Sequence, residues 1–119
     1  MIKLVRLDYR LLHGQVVFSW TGHVGAQRII VVDDDAANDE MKKSALLLSK
    51  PAGVRVNIFT VDKAIAKMPK VEQLDEKIMM IFGNTAALLK FCQAYPKIKE
   101  INYGAVANKP GSKAFDQSV

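Results

Sequence analysis

A histidine preceded three residues earlier by an arginine and followed at once by a glycine can handle a phosphoryl group. The run is Arg10-Leu11-Leu12-His13-Gly14-Gln15. A neutral imidazole nitrogen attacks phosphorus well near neutral pH, so His13 is the candidate phosphoacceptor. The guanidinium of Arg10 matches phosphoryl oxygens two at a time and is the natural clamp. Gly14 lets the backbone come close to a phosphate, and Gln15 can donate to one of its oxygens. Asp8, five residues before His13, is placed to hydrogen-bond one imidazole nitrogen and leave the other to react.

Each of these residues also has an ordinary structural use. His13 fits a capping or packing histidine on a turn. Arg10 fits an ion pair with Asp8 or Asp33. Gly14 fits simple turn geometry, and Gln15 is a common first-turn residue of a helix. The elements around them decide between the two uses.

Ile2–Leu7 is a short apolar run, and Val16, Val17, Trp20 and Val24 then recur at helical spacing. His13 therefore falls on a strand-to-helix turn. First-turn N–H groups point outward unpaired there, and the helix dipole favours negative charge. The same alternation continues along the chain. Gly14–Val24 is predicted as a helix that ends at Gly25 in a left-handed cap. Arg28–Val32 is a strand apolar on both faces, closed by Asp33-Asp34-Asp35. Asn38 or Asp39 caps a helix through Met41, Ala45, Leu46 and Leu48. Val54–Phe59 is the third strand, and Thr60 caps a helix over Val61–Met68 that Pro69 stops. Lys77–Phe82 is the fourth strand. Thr85 caps a helix over Ala86–Tyr95, and Ile98–Asn102 is the fifth strand. Asn108–Lys113 is expected to be a turn or loop.

Strands alternating with helices give an α/β fold: an open, mainly parallel β-sheet with helices on both faces. Such sheets bind ligands outside the carboxyl ends of their strands. That rim is expected to gather Asp8–His13, Asp33–Asp35, Thr60, Gly83–Thr85 and Tyr103–Gly104. Asp8, Asp33, Asp34 and Thr85 are thus orienting or rim candidates. Three consecutive aspartates do not converge on one ion without a special loop, so Asp33–Asp35 is better read as a loop and cap cluster that also orients Arg10. No metal and no cofactor is expected. His23 fits a dipole partner or surface residue at the far end of the first helix.

The totals narrow the field further. The chain has 119 residues, half of them apolar, which suits one domain spanning 1–119. No apolar run approaches the ~20 residues of a bilayer span, and the N-terminus is not a signal peptide. One cysteine, Cys92, sits among Leu88, Leu89 and Phe91. It cannot form an internal disulfide, which fits the cytoplasm. The net charge of +5 is spread without a dense run or interleaved aromatics. An acidic protein partner or a phosphorylated ligand suits it better than nucleic acid. No dinucleotide, P-loop or zinc spacing is present.

The stretch Arg6-Leu7-Asp8-Tyr9-Arg10-Leu11-Leu12-His13-Gly14-Gln15-Val16, followed by Trp20, resembles the phosphohistidine motif of IIB subunits of the bacterial sugar phosphotransferase system, mannose/fructose/sorbose family. A second segment agrees: Ile29-Ile30-Val31-Val32-Asp33-Asp34-Asp35-Ala36, then Pro51-Ala52-Gly53-Val54. The resemblance implies that His13 receives phosphate from a IIA phosphocarrier protein. It then passes the group to a sugar substrate delivered by the IIC and IID membrane subunits, which makes the chain a phosphotransferase, cytoplasmic and peripheral to the membrane through IIC/IID. Two departures stand out. Asn102-Tyr103-Gly104-Ala105-Val106 is similar to, but not the same as, the family's glycine-rich turn. The family also carries several tens of further residues, so the C-terminal part of the usual domain is expected to be absent. The sheet edge is then either destabilised or covered by self-association into a homo-oligomer. The alternatives from other classes are a receiver-like domain phosphorylated on aspartate and a basic nucleic-acid-binding domain.

Overall fold

Ile29-Ile30-Val31-Val32 and Ile78-Met79-Met80-Ile81-Phe82 are apolar at every position, and a strand apolar on both faces must be covered on both. They become the middle of the sheet. The computed structural model describes residues 1–13, 15–98 and 100–103; for His13, Gln15, Val16, Val17 and Tyr103 it gives the backbone alone. Five strands are described: β1 (Ile2–Leu7), β2 (Arg28–Val32), β3 (Arg55–Phe59), β4 (Ile78–Phe82) and β5 (Asn102–Tyr103). Their order is β3-β2-β4-β1-β5, and every neighbouring pair is parallel. All five residues of β4 are fully buried.

The strand pleat sends alternate side chains into two separate cores. Val5, Leu7, Ile30, Val32, Ile78, Met80 and Phe82 face one side. They pack there with Val61, Ala64, Met68 and Val71 of α4 (Val61–Val71) and with Ala87, Leu88 and Phe91 of α5 (Thr85–Ala94). Phe91 sits between Phe82 and Tyr95, with ring centroids 5.1 and 5.7 Å away. Ile29, Val31, Met79 and Ile81 face the other side. Trp20 and Val24 of α1 (Gln15–Val24), Ala36 of α2 (Asp34–Ala37), Leu46 of α3 (Glu40–Leu48), and Leu11 and Leu12 cover them.

Capping fixes where these helices begin and end. Gly25, at φ +67°, closes α1: the Ala26 N–H donates to Thr21 O and the Gly25 N–H to Gly22 O, the paired bonds of a left-handed stop. Asp39 caps α3 by accepting from the Met41 and Lys42 N–H groups. Thr60 caps α4 by accepting from Lys63 N–H at 3.1 Å.

Several element ends shift by one residue from those predicted, and four further differences have a clear physical reason. Pro69 does not stop α4, which runs on to Val71. Its missing N–H costs one bond near the helix end, and burial of Val71 on the same face as Met68, Ala64 and Val61 outweighs that. Asn84, not Thr85, caps α5, because its carboxamide oxygen accepts from Ala87 N–H at 2.8 Å. Asp34–Ala37 forms a short helix, where only a loop and cap cluster was expected. The fifth strand is Asn102–Tyr103 rather than Ile98–Asn102, and it pairs with β1 at Arg6↔Asn102 and Leu7↔Tyr103. The expectations for Gly104 onward, including the loop at Asn108–Lys113, lie outside the described residues.

Candidate functional site

Parallel strands deliver their carboxyl ends to one rim, and side-by-side ladder bonds fasten the loops there. Asp8 N–H donates to Phe82 O at 2.9 Å, Asp33 N–H to Phe59 O at 3.0 Å, and Gly83 N–H to Val32 O at 3.3 Å. The approach at Gly83 is close: a Cβ there would lie 2.4 Å from Asp33 Oδ1 and 3.3 Å from Leu11 Cδ2, so a side chain would push Asp33 aside. The loops after β1, β2 and β4 therefore meet at that point. The chain leaves β1 toward α1 on one face and leaves β4 toward α5 on the other. Adjacent strands that part in this way open a crevice between their ends, where open α/β sheets bind ligands.

The β1 turn is strained and buried at once. Leu11 has φ +55°, an unusual conformation for a leucine and one that costs of order 1–3 kcal/mol. Leu11 and Leu12 are buried in the α1-side core, and that packing holds the turn. A 3-10 turn over Leu11–His13 follows, and α1 begins at Gln15. The His13 backbone thus stands just before a helix N-terminus, as its place in the sequence implied. Gly14, with the side chains of His13 and Gln15, lies outside the described residues.

Asp8 is fully buried beneath this turn. Its Oδ1 accepts from the Arg10 backbone N–H at 3.0 Å and from Arg10 Nε at 3.1 Å. Its Oδ2 accepts from Arg10 Nη2 at 3.0 Å and from Arg6 Nε at 3.3 Å. Four donors fill the acceptor positions of one carboxylate. Asp8 thus gives these positions to Arg10 and Arg6; the bond the sequence suggested to the His13 imidazole lies outside the described residues. Burial alone would raise its pKa. The hydrogen bonds from Arg10, and the charges of Arg10 and Arg6, outweigh burial and hold it below the ordinary carboxylate value. Asp8 in turn pushes the Arg10 guanidinium further up, so Arg10 stays charged.

Arg10 keeps 36% of its side chain exposed while its partner is wholly covered. Among the described residues its Nη1 has no hydrogen-bond partner. The arginine is locked along one side by Asp8 and, among the described residues, is open along the other, which suits an anion clamp. The ion pair left open between Asp8 and Asp33 is made to Asp8.

Asp33 and Asp34 do backbone work. Asp33 caps α2, accepting from Ala36 N–H at 2.9 Å, and does not orient Arg10. Asp34 Oδ1 accepts from Val61 N–H at 2.8 Å and so ties α2 to the start of α4. Asp35 pairs with Lys42 at the surface. Thr85 is exposed in the first turn of α5. Among the described residues no group of three or more histidine, cysteine, aspartate or glutamate side chains could hold a metal ion. His23 is exposed in the last turn of α1, its ring edge-on to Trp20 at 5.5 Å. Burial raises the Cys92 thiol, which suits a packing residue. Sequence reasoning missed Arg6, which is 3% exposed, and Asn102, which accepts from Arg6 Nη1. The signal was present: a charged residue at a core-facing position of a strand that is covered on both sides.

Fold and rim together describe an α/β domain with a clamped cation at a strand-to-helix turn, equipped to hold an anion. Comparison with known proteins gives the family. The model of the sorbose-subfamily IIB components of the phosphotransferase system matches residues 2–119. The sorbose-specific EIIB component of Klebsiella pneumoniae is 36% identical over 118 residues, covering 99% of this chain and 72% of that protein. The mannose-specific EIIAB component of Escherichia coli K12 is 33% identical over the whole chain, which spans 37% of it. Among solved structures, the IIBSor domain of the Klebsiella pneumoniae sorbose permease superposes with a TM-score of 0.83 at 36% identity, over 93% of this chain and 68% of that one. The N-acetylgalactosamine-specific IIB component 1 of Escherichia coli gives 0.86 at 30% identity, over 100% and 78%. This chain belongs to the sorbose-subfamily IIB components of the phosphotransferase system, and it is a phosphotransferase component. Neither the receiver-domain nor the nucleic-acid alternative finds support in these matches.

Proposed function

We propose that this domain carries a phosphoryl group on His13, taken from a IIA protein and passed to a sugar held by the membrane subunits IIC and IID. The observation that carries the reading is Arg10, pinned by Asp8 at the carboxyl end of β1 yet still partly exposed, three residues before a histidine that precedes a helix. The imidazole nitrogen attacks phosphorus in line, and the bond from phosphorus to the IIA histidine breaks. The second transfer reverses these roles toward a sugar hydroxyl. Positioning and charge stabilisation supply most of the rate in such transfers. Arg10 neutralises charge on the equatorial oxygens, and Gly14 and Gln15 are the remaining phosphate contacts. Among the described residues no helix is long and apolar enough to cross a membrane. The domain is proposed to work at the cytoplasmic membrane face through IIC and IID, and its net charge of +5 favours an acidic IIA surface.

The test is incubation with a phosphorylated IIA protein followed by mass mapping of the labelled residue. Label on His13, lost in His13→Ala with thermal unfolding nearly unchanged, is the expected result. Label on His23 or on an aspartate in that variant overturns the reading. The lability of the label adds a check, because an acyl phosphate and a phosphohistidine differ in their stability to acid and base.

A further inference from the structure

A guanidinium inside a sheet is expensive. Arg6 has 4% of its side chain exposed and stands on β1 where the alternate position, Leu4, is apolar and packs on the same face. Removing such an ion from water costs several kcal/mol even after relaxation. A leucine would fill the position more cheaply, so the fold alone does not explain an arginine there.

We infer that Arg6 is a positioning residue for phosphoryl transfer: acting through Asp8, it keeps the Arg10 clamp both fixed and net positive, and Asn102 on β5 holds it in place. The inference rests on the reading of His13 as the phosphoryl carrier. Asp8 fixes Arg10 by three hydrogen bonds, but an aspartate and an arginine alone make a neutral pair. A neutral pair offers a phosphoryl dianion little at long range. Arg6 gives the same carboxylate its fourth bond and a second cation. Two cations and one anion leave one net positive charge beneath the turn. Arg6 Nη1 donates to Asn102 Oδ1 across the same rung that pairs the two backbones, so β5 sets the angle at which Arg6 meets Asp8. The path from Asn102 through Arg6 and Asp8 to Arg10 is continuous, and no buried side-chain polar atom along it lacks a partner among the described residues.

The test uses charge changes that keep shape. Asn102→Asp alters one atom, retains the bond to Arg6, and makes the group of four neutral. Arg6→Met removes the cation, and Arg6→Lys restores it without the fork. Two readouts are taken on the whole chain: the His13 imidazole titration by NMR in the unphosphorylated protein, and the rate of labelling by phosphoramidate. In Asn102→Asp the imidazole pKa should rise by about one unit, since a net positive charge nearby disfavours imidazolium. Labelling should slow about tenfold, the rate equivalent of that unit. Arg6→Met should move both in the same direction, and Arg6→Lys should bring the titration back toward wild type. Wild-type titration and rate in a folded Asn102→Asp protein overturns the inference. So does an Arg6→Lys protein as far displaced in titration as Arg6→Met, because packing rather than charge would then be the cause. If Arg6→Met does not fold, Asn102→Asp still decides. Failure of the carrier reading looks different: wild type takes no label on His13, while the titration shifts still report the charge relay.

Discussion

The ends of β1 and β2 carry the same residue type at the same place and use it differently. Asp8 and Asp33 each follow the last residue of a parallel strand at the rim. Asp8 is fully buried and accepts three bonds from arginine side chains besides one from a backbone N–H. Asp33 is half-buried and accepts from the backbone of its own helix. One carboxylate organises charge and the other organises chain direction. The difference comes from what lies beside them: Arg6 and Arg10 flank Asp8 at two-residue spacing, while Asp33 is followed by small and acidic residues that favour a helix start.

The sharpest way to break this comparison is Asp8→Asn. Stripping one partner from a buried ion group costs about 3–5 kcal/mol, so a denaturant midpoint should fall steeply. The acid limb gives a second view. Asp8 is held below the ordinary carboxylate value, so its stabilisation is full above about pH 4, where the unfolded chain titrates, and is lost as pH falls through the lower folded value. That part of the acid slope should vanish in Asp8→Asn, and an unchanged slope would assign it to another group. Arg10→Lys is next: it keeps the charge and loses the fork, and transfer should slow by the equivalent of about 1–3 kcal/mol in single-turnover labelling. Asp33→Ala should cost about 1 kcal/mol of unfolding free energy, the scale of a helix cap. If it costs as much as Asp8→Asn, the two rims are not different in kind. Asp35→Ala should change stability by less than about 0.5 kcal/mol, because Asp35 and Lys42 are 72% and 53% exposed and water screens their pair.

Much of this was legible in the sequence where one local force dominates. β1 and β2 fall on the predicted residues because their apolar runs are bounded by polar ones. Gly25 and Thr60 fall where predicted because cap chemistry is local. The misses share a cause. Pro69 reads as a stop by propensity, but burial along α4 overrides it. Asn84 and Thr85 are both good caps, and which one serves depends on the turn leaving β4. Lys3 and Arg6 look alike in a strand, yet Lys3 is exposed and Arg6 is buried. The Arg10–Asp8 pair was visible as one of two options because both lie in one short turn. The partnership of Arg6 with Asn102, 96 residues apart, could not be read without the sheet order.

The left-handed backbone at Leu11 makes the two faces of the sheet unequal in their tolerance of mutation. That conformer persists because Leu11 and Leu12 are gripped by the core that also contains Leu46, Val54 and Ala36. A softened contact anywhere in that cluster lets the turn relax toward a commoner shape, and the distance to His13 gives no protection. The opposite core, around Phe91 and Met68, holds no part of the turn. A library of conservative substitutions should divide accordingly: variants on the α4/α5 side melt earlier but transfer normally, and variants on the α1/α3 side lose transfer before they lose the fold.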